Sequence, residues 1–359
     1  MLRILDRYII KKLLTTYLFV VLVLLSIISV IDYTEKNEDF IKQNLPFQKI
    51  FTEYFLNFLP YMANMLSPLT IFIASVFVTA RLASHTEIIA MLSGGISFRR
   101  LLWPYFLGSS VVAVFIFGMI GWVVPKANKV RVSFENQYIK EQFYFNKRHV
   151  HMKIAPELYM YMESYNNISR TGYQFTLEQV VDKELKKKIK TGRVSWNEQK
   201  QCWTLDSYTQ REFRNGREYI TYGQSMDTVL NITPKDFESN YLLYETFTLS
   251  ELDEYIALLQ LRGVENVEAY YVEKYERYAY PFAIIILTLM GAIVASRKTR
   301  GGAAYQIAFG FVLAFIYILF VILSRTIAGA GGLSPMLAAW LPNMTFSVVA
   351  LVLYWRVPK

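Results

Sequence analysis

Six long apolar runs, free of Asp, Glu, Lys and Arg, punctuate the chain: Leu13 to Ile31, Tyr54 to Ala80, Leu101 to Val124, Ala279 to Ser296, Gly301 to Ser324, and a last one ending at Trp355. Each is long enough for a helix to cross a hydrocarbon core of ~30 Å. The pattern predicts an α-helical membrane protein with six transmembrane helices arranged three plus three, in residues 1–125 and 279–359. Pro60 and Pro68 inside the second run predict a kink and freed backbone carbonyls that a neighbouring helix must satisfy. The stretch from Asp32 to Asn57 mixes charges around Pro46 and predicts a loop with room for a short amphipathic helix.

Residues 126–278 interrupt the apolar pattern. Asn128 to Phe145 is polar and reads as a few more turns of helix. Val150 to Ile154, Leu158 to Met162 and Tyr173 to Leu177 then alternate as strands do, with Asn166-Asn167 and Thr171-Gly172 as turn signals. Arg193 to Trp196 and Cys202 to Tyr208 flank a polar connection at Asn197 to Gln201. Glu212 to Arg214 and Arg217 to Tyr222 flank Asn215-Gly216, the strongest hairpin signal in the chain, because both turn positions need positive φ. Strands at this spacing predict an inserted β-sandwich or β-jelly-roll domain. Lys183 to Lys190 reads as a solvated turn; no aromatic platform is interleaved there, as a nucleic-acid surface would need, and no nucleic-acid partner is expected. Thr248 to Glu251 has the form of a capping box opening a helix to about Leu261, with Gly263 as its break. A second helix from Glu265 to Tyr278 leads into the fourth span.

A short polar interruption, Arg81 to Arg100, separates the second and third spans. Ser84 and Thr86 are candidate N-caps, Ile88, Ile89, Met91 and Leu92 give an apolar side at helical spacing, and Gly94-Gly95 supplies a stop. Glu87 falls in the first turn, where the helix dipole favours a carboxylate. A helix within residues 84–95 is too short to hold in water alone, so it must rest on the membrane surface or on a partner.

Composition agrees with the membrane reading: 53% of residues are hydrophobic and 16% aromatic, in blocks that exclude an ordinary soluble domain. The charge adds orientation. The net charge is +9, yet residues 126–278 hold 22 basic and 22 acidic side chains, so the whole excess belongs to the membrane part. There it clusters at Arg3, Arg7, Lys11 and Lys12, at Arg81, Arg99 and Arg100, at Arg297, Lys298 and Arg300, and at Arg356 and Lys359. By the positive-inside rule these clusters mark cytoplasmic ends, which puts both termini inside and the insert outside. The first apolar run is too long for a signal peptide and is followed by no small-residue cleavage site, which predicts an uncleaved first helix.

Candidate chemistry narrows the function by what is missing. Cys202 is the single cysteine, so no intramolecular disulfide can form; beside Trp203 it reads as a buried strand position. His85, His149 and His151 do not assemble a metal site at these spacings. There is no phosphate loop, no H-E-x-x-H, no G-x-S-x-G, and no acidic residue inside the six runs of the kind that ion-coupled transporters keep. No catalytic residue, cofactor or metal is therefore expected. Transport by this chain needs energy from a partner, through a cytoplasmic contact, and Glu87 stands out there against Arg81, Arg99 and Arg100. Arg325, at the outer end of the fifth run, either snorkels to the headgroups or meets a ligand.

At this point three segments, Leu5-Asp6-Arg7-Tyr8-Ile9 followed by Lys11 and Lys12, Thr86-Glu87-Ile88-Ile89-Ala90-Met91 through Gly95, and Ala338-Ala339-Trp340-Leu341-Pro342, fall in an order and spacing that resembles the lipopolysaccharide export permeases LptF and LptG. The resemblance covers essentially the whole chain, as three spans, a periplasmic β-jelly-roll domain and three spans, in the inner membrane. It implies a permease subunit of an ABC-type exporter that extracts lipopolysaccharide, paired with a second LptF/LptG-type permease. It also implies an LptB-type ATPase dimer, an LptC-type membrane protein and an LptA-type periplasmic bridge as partners. Residues 84–95 would be the coupling helix, with Glu87 making polar contacts to the ATPase and Ile88, Met91 and Leu92 filling its groove. Spans one, two and five would line an apolar cavity for acyl chains. Where some members carry basic residues at the outer end of span one, this chain reads Asp32-Tyr33-Thr34-Glu35-Lys36. Lys36 and Lys42 are then the substitutes that could meet the headgroup phosphates, with Arg325. A permease for another lipid or lipoprotein, and a non-transporting scaffold or sensor, are the alternative readings.

Overall fold

The computed structural model describes residues 4–140, 143–214, 216–238, 242–263, 267–296 and 302–356. Arg3, Arg297, Lys298, Arg300, Lys359, Glu265, Gly301 and the turn residue Asn215, all named above, lie outside the described residues. The chain divides into two compact units: Met1–Ile139 with Tyr244–Leu252 and Glu268–Lys359, and Lys140–Leu243 with Asp253–Val267.

The first unit is a helical bundle. Its helices are α1 (Ile4–Lys42), α2 (Phe47–Ser84), the short α3 (Glu87–Ser93) and α4 (Phe98–Tyr138), and, beyond the insert, α6 (Glu268–Ala295), α7 (Gly302–Gly329) and α8 (Pro335–Trp355). All but α3 are long and apolar enough to cross a membrane, which gives six spans among the described residues. Ile50–Phe55 in α2 and Met119–Val123 in α4 are wound as π-helix.

The expected loop from Asp32 to Asn57 shrinks to residues 43–46, because α1 continues to Lys42. Lys36 pairs with Asp32 at 2.8 Å and Lys42 with Glu38 at 3.7 Å, and such i,i+4 pairs extend a helix past its apolar part. Pro68 lacks the N–H that would bond the carbonyl of Asn64. The hydroxyl of Tyr280 on α6 fills that place, 2.7 Å from the Asn64 oxygen and 2.8 Å from that of Met65. α2 and α6 approach closely: a Cβ on Gly291 would come within 3.2 Å of Ser75, Val76 and Phe72, and Ser75 Oγ donates to the Thr288 carbonyl at 2.6 Å. Small residues at such contacts let membrane helices pack backbone to backbone.

The inserted unit is built on an antiparallel sheet of β1 (Val150–Ala155), β2 (Leu158–Met162), β3 (Ser164–Asn166), β4 (Thr171–Val181), β5 (Glu184–Asn197), β6 (Cys202–Arg214) and β7 (Arg217–Thr228). The strands lie in the order β1-β2-β4-β5-β6-β7, with β3 against β4. One face closes over Ile154, Met160, Phe175, Val194, Trp203 and Leu205, and the Trp203 indole N–H donates to the Ile232 carbonyl at 2.9 Å. Cys202 is buried in β6, as its neighbour suggested. Arg214 pairs with Arg217 across a two-residue turn in which Gly216 has φ 73°.

Lys183 to Lys190 is the clearest departure, for it is strand, with only Asp182 and Lys183 left as the turn. The lysine run is held by cross-strand charge: Lys188 reaches Glu178 on β4 at 2.7 Å and Lys187 reaches Glu212 on β6 at 3.9 Å. Opposite charges facing across a ladder stabilise it, and that pairing is invisible until the register is known.

α5 (Leu249–Arg262) opens on the expected capping box. The Thr248 N–H donates to Glu251 Oε2 at 2.8 Å and the Glu251 N–H to Thr248 Oγ1 at 3.4 Å. It ends at Gly263, whose φ of 64° suits glycine at a C-terminal break.

Candidate functional site

Two places in the bundle unit carry polar structure that a simple membrane anchor would not need. The first is α3. Thr86 precedes it with φ 58°, a left-handed conformation that costs a β-branched residue energy, and Gly95 follows it with φ 85°. Neither expected N-cap side chain caps the helix: Ser84 Oγ donates back to the Arg81 carbonyl at 2.9 Å. At the far end the N–H groups of Gly95 and Ile96 donate to the carbonyls of Leu92 and Met91, which closes the last turn.

The faces of α3 differ from the expectation. Ile88 is 2% exposed and packs in the chain's own core with Ile9, Leu13, Leu82, Phe98 and Leu101. In this structure it therefore turns to the bundle, whereas the expectation turns it to a partner's groove. Met91 and Leu92 are half-buried against the same core, and Ile89 is 49% exposed. Glu87 accepts a hydrogen bond from the Tyr8 hydroxyl at 2.9 Å and has Lys12 at 3.8 Å, both on α1. A second contact with α1 follows: Arg100, in the first turn of α4, donates to both oxygens of Asp6 at 2.7 and 2.8 Å. Asp6 is 1% exposed.

The second place is a buried charged cluster near the end of the bundle from which the chain leaves for the insert. Lys36 on α1 meets Asp32, the Tyr54 hydroxyl and, at 3.7 Å, Glu135. Arg131 bonds Asn128 Oδ1, Glu135 at 3.0 Å and Glu245 at 3.2 Å. Arg277 bonds Glu273 at 3.0 Å and the carbonyls of Phe247 and Tyr244 at 2.6 and 2.9 Å. Arg325 bridges Glu276 and Glu273 at 2.9 and 3.0 Å. Burial lifts the Glu245 carboxyl to about 7, and the Glu273 charge adds to the rise while Arg131 opposes it. Glu251, half-buried outside the spans, is held down at about 2 by Lys129 at 2.7 Å and by the Thr248 N–H.

The cluster roofs a cavity of about 340 Å³ between α2, α4, α6, α7 and α8. Its lower wall is apolar, with Leu69, Leu287, Val321 and Pro342, and its upper wall carries Glu245, Glu276 and Arg325. A volume of this order suits a small ligand or part of a larger one. No residue of α1 lines it, so it differs from the cavity of spans one, two and five that the resemblance implies.

The model of the lipopolysaccharide export system permease LptF/LptG family matches residues 7–356. The chain belongs to that family. It is accordingly a multi-pass inner-membrane permease of lipopolysaccharide export, an ABC-type system. No individual curated protein matches the chain.

Measured against the residues expected from sequence, the permease brings Glu87, Ile88, Met91 and Leu92 together on one short helix, as spacing required. It separates the three basic residues assigned to a headgroup. Lys36 is enclosed by Asp32, Tyr54 and Glu135, Arg325 is held by two glutamates, and Lys42 stays exposed beside Glu38 and Asp39. The snorkelling reading of Arg325 gives way to a two-carboxylate clamp, because α6 begins before the fourth apolar run and brings Glu273 and Glu276 with it. Tyr8, Asp6 and the acids of the cluster were missed as site residues. Asp6 and Tyr8 lie inside a quoted motif, but only the fold shows their partners on α3 and α4.

Proposed function

We propose that the permease is one of two membrane subunits of a lipopolysaccharide extractor and that α3 is its coupling helix to a separate ATPase. The observation that carries this is α3 itself, a seven-residue helix bounded by left-handed residues at both ends, mounted on the bundle by Ile88 and offering Ile89 outward. An LptB-type ATPase dimer would grip Ile89, with the half-buried Met91 and Leu92 at the margin, and Glu87 would supply the polar contact. ATP hydrolysis is then the partner's chemistry. The second LptF/LptG-type permease, an LptC-type protein and an LptA-type bridge complete the path. The charge clusters favour both termini and α3 on the cytoplasmic side and the inserted sheet in the periplasm.

For the cargo, the apolar faces of α1 and α7 are the surfaces suited to acyl chains and to the second permease: Phe19, Leu22 and Ile27 on α1, and Phe315, Ile322 and Leu323 on α7, stand exposed. Lys42 is the cation readiest to meet a headgroup phosphate. Arg325 would contribute from the cavity roof and Lys36 only after giving up its carboxylates. Co-purification with the ATPase tests the reading: Glu87→Arg is expected to abolish the complex and ATPase stimulation, and an unchanged complex would overturn it.

A further inference from the structure

α3 has few ways to pass on a movement. It is seven residues long, and left-handed residues on both sides set it at sharp turns to α2 and α4. Two side-chain contacts tie it and its following turn to the start of α1, and Ile88, Met91 and Leu92 pack on the core that also holds Ile9 and Leu13. Glu87 is held by Tyr8 and Lys12. Ile88 shares a buried cluster with Ile9 and Leu13 of α1 and with Leu82, Phe98 and Leu101. Arg100, three residues past the turn that ends at Ser97, grips the buried Asp6 with both of its terminal nitrogens.

α1 is built to carry that grip elsewhere. Its buried residues are Asp6, Ile9 and Leu13 at one end, Val21 in the middle and Phe40 at the other end. The helix has 39 residues and is therefore about 60 Å long, at the usual rise per residue. At its far end Lys36 and Asp32 enter the charged cluster through Tyr54 and Glu135, and Phe40 packs with Tyr54 and Phe134. Between the two ends one face of the helix meets the bundle through Val21 and the Tyr17–Ser67 hydrogen bond at 2.9 Å, and the other is open, with Leu18, Phe19, Leu22 and Ile27 exposed.

We propose that α1 is the rod that carries motion of the coupling helix to the far side of the membrane, with Asp6 and Tyr8 as the positioning residues that fasten it. This rests on the reading of α3 as the ATPase contact. A bidentate guanidinium–carboxylate pair fixes direction as well as distance, so rotation or translation of the α3–α4 turn takes the end of α1 with it.

The test uses the assembled exporter in proteoliposomes, reading complex formation, ATP hydrolysis and lipopolysaccharide extracted per ATP. Asp6→Asn is expected to keep the complex and its ATPase rate while extraction per ATP falls by about tenfold, the upper range for a residue that acts through coupling alone. Charge reversal, Asp6→Arg with Arg100→Asp, should restore at least part of the lost ratio. Tyr8→Phe, which removes one hydroxyl, should lower the ratio by about twofold. An unchanged ratio in an assembled Asp6→Asn exporter overturns the proposal. If Asp6→Asn fails to assemble, an unchanged ratio in Tyr8→Phe overturns it instead. Glu87→Arg separates the two readings: if that variant still binds the ATPase, the coupling-helix reading fails; if it does not, and Asp6→Asn extracts normally, only the rod fails.

Discussion

The two ends of the helical bundle hold their charges in opposite ways. At the α3 end the ion pairs are few and each has a partly exposed member: Arg100 against Asp6, and Lys12 beside Glu87. At the other end Asp32, Lys36, Arg131, Glu135, Glu245, Glu273, Glu276, Arg277 and Arg325 form interlinked pairs, with Arg131, Glu135 and Arg277 almost wholly buried. The Lys12–Glu87 pair is partly exposed on both sides and is worth at most about 1 kcal/mol, so a partner's groups can replace it at small cost, while Arg100 keeps the buried Asp6 satisfied. A buried network cannot lose one member without stranding a charge. Glu87 is thus suited to exchange contacts, and the charged cluster is suited to hold geometry while they change.

The largest effect should come from breaking the cluster. Arg277, 2% exposed, satisfies Glu273 and two backbone carbonyls at once. Arg277→Met should destabilise the protein by about 3–5 kcal/mol, seen as a lower melting temperature in detergent. Adding Glu273→Met should recover only part of the loss, because Arg325 then lacks one carboxylate and the carbonyls of Tyr244 and Phe247 still lack their donor. Full recovery would mean that the carbonyl contacts contribute nothing.

On α3 the comparison sharpens to adjacent residues. Ile88→Ala empties a core position and should cost about 2–4 kcal/mol. Ile89→Ala, at an exposed position, should change the melting temperature little, within about 0.5 kcal/mol, yet weaken capture of the ATPase. Equal losses of stability in the two variants would erase the distinction between the faces.

Sequence reading located this helix but not its orientation, and the reason is physical. Periodicity marks Ile88, Ile89, Met91 and Leu92 as apolar, but in so short a helix it cannot say which of two adjacent isoleucines points to the bundle. The six spans were legible because the bilayer demands long apolar runs, and Pro68 announced a freed carbonyl that Tyr280 fills. The strands of the insert were legible as short pieces. Their true lengths, and the place of Lys186 to Lys188 inside β5, depend on cross-strand partners about 8 to 25 residues away. The charged cluster was hidden for the same cause: Arg131, Glu245 and Arg325 meet only when three distant parts of the chain fold together.

A pH effect should distinguish the cluster from the exposed pairs. Glu245 titrates at about 7 in the folded protein, above the ordinary carboxylate value, so the folded state binds its proton more tightly than the unfolded chain does. Its contribution to stability is present below the ordinary carboxylate pKa and is lost as pH rises through 7. Melting curves of wild type and Glu245→Gln between pH 5 and 8 should therefore diverge, the variant gaining relative to wild type as pH rises. Parallel curves would remove Glu245 as a titrating member of the cluster.

A smaller effect than at Arg277 or Ile88 belongs to the cap of α5, where Glu251 meets Lys129 and the Thr248 N–H. Here the carboxyl is held at about 2, so the stability it gives is present above the ordinary carboxylate pKa and is lost as pH falls toward 2, the reverse of Glu245. Thr248→Ala removes the hydroxyl that accepts from the Glu251 N–H and should cost about 1 kcal/mol at neutral pH, the usual worth of a helix cap. Lys129→Ala should cost less, because that pair is half exposed and water takes up much of its attraction. Unlike the loss of Arg277, neither variant strands a buried charge. A Thr248→Ala loss near the Arg277→Met value, measured in the same detergent, would show that the start of α5 is bound into the cluster rather than capped beside it.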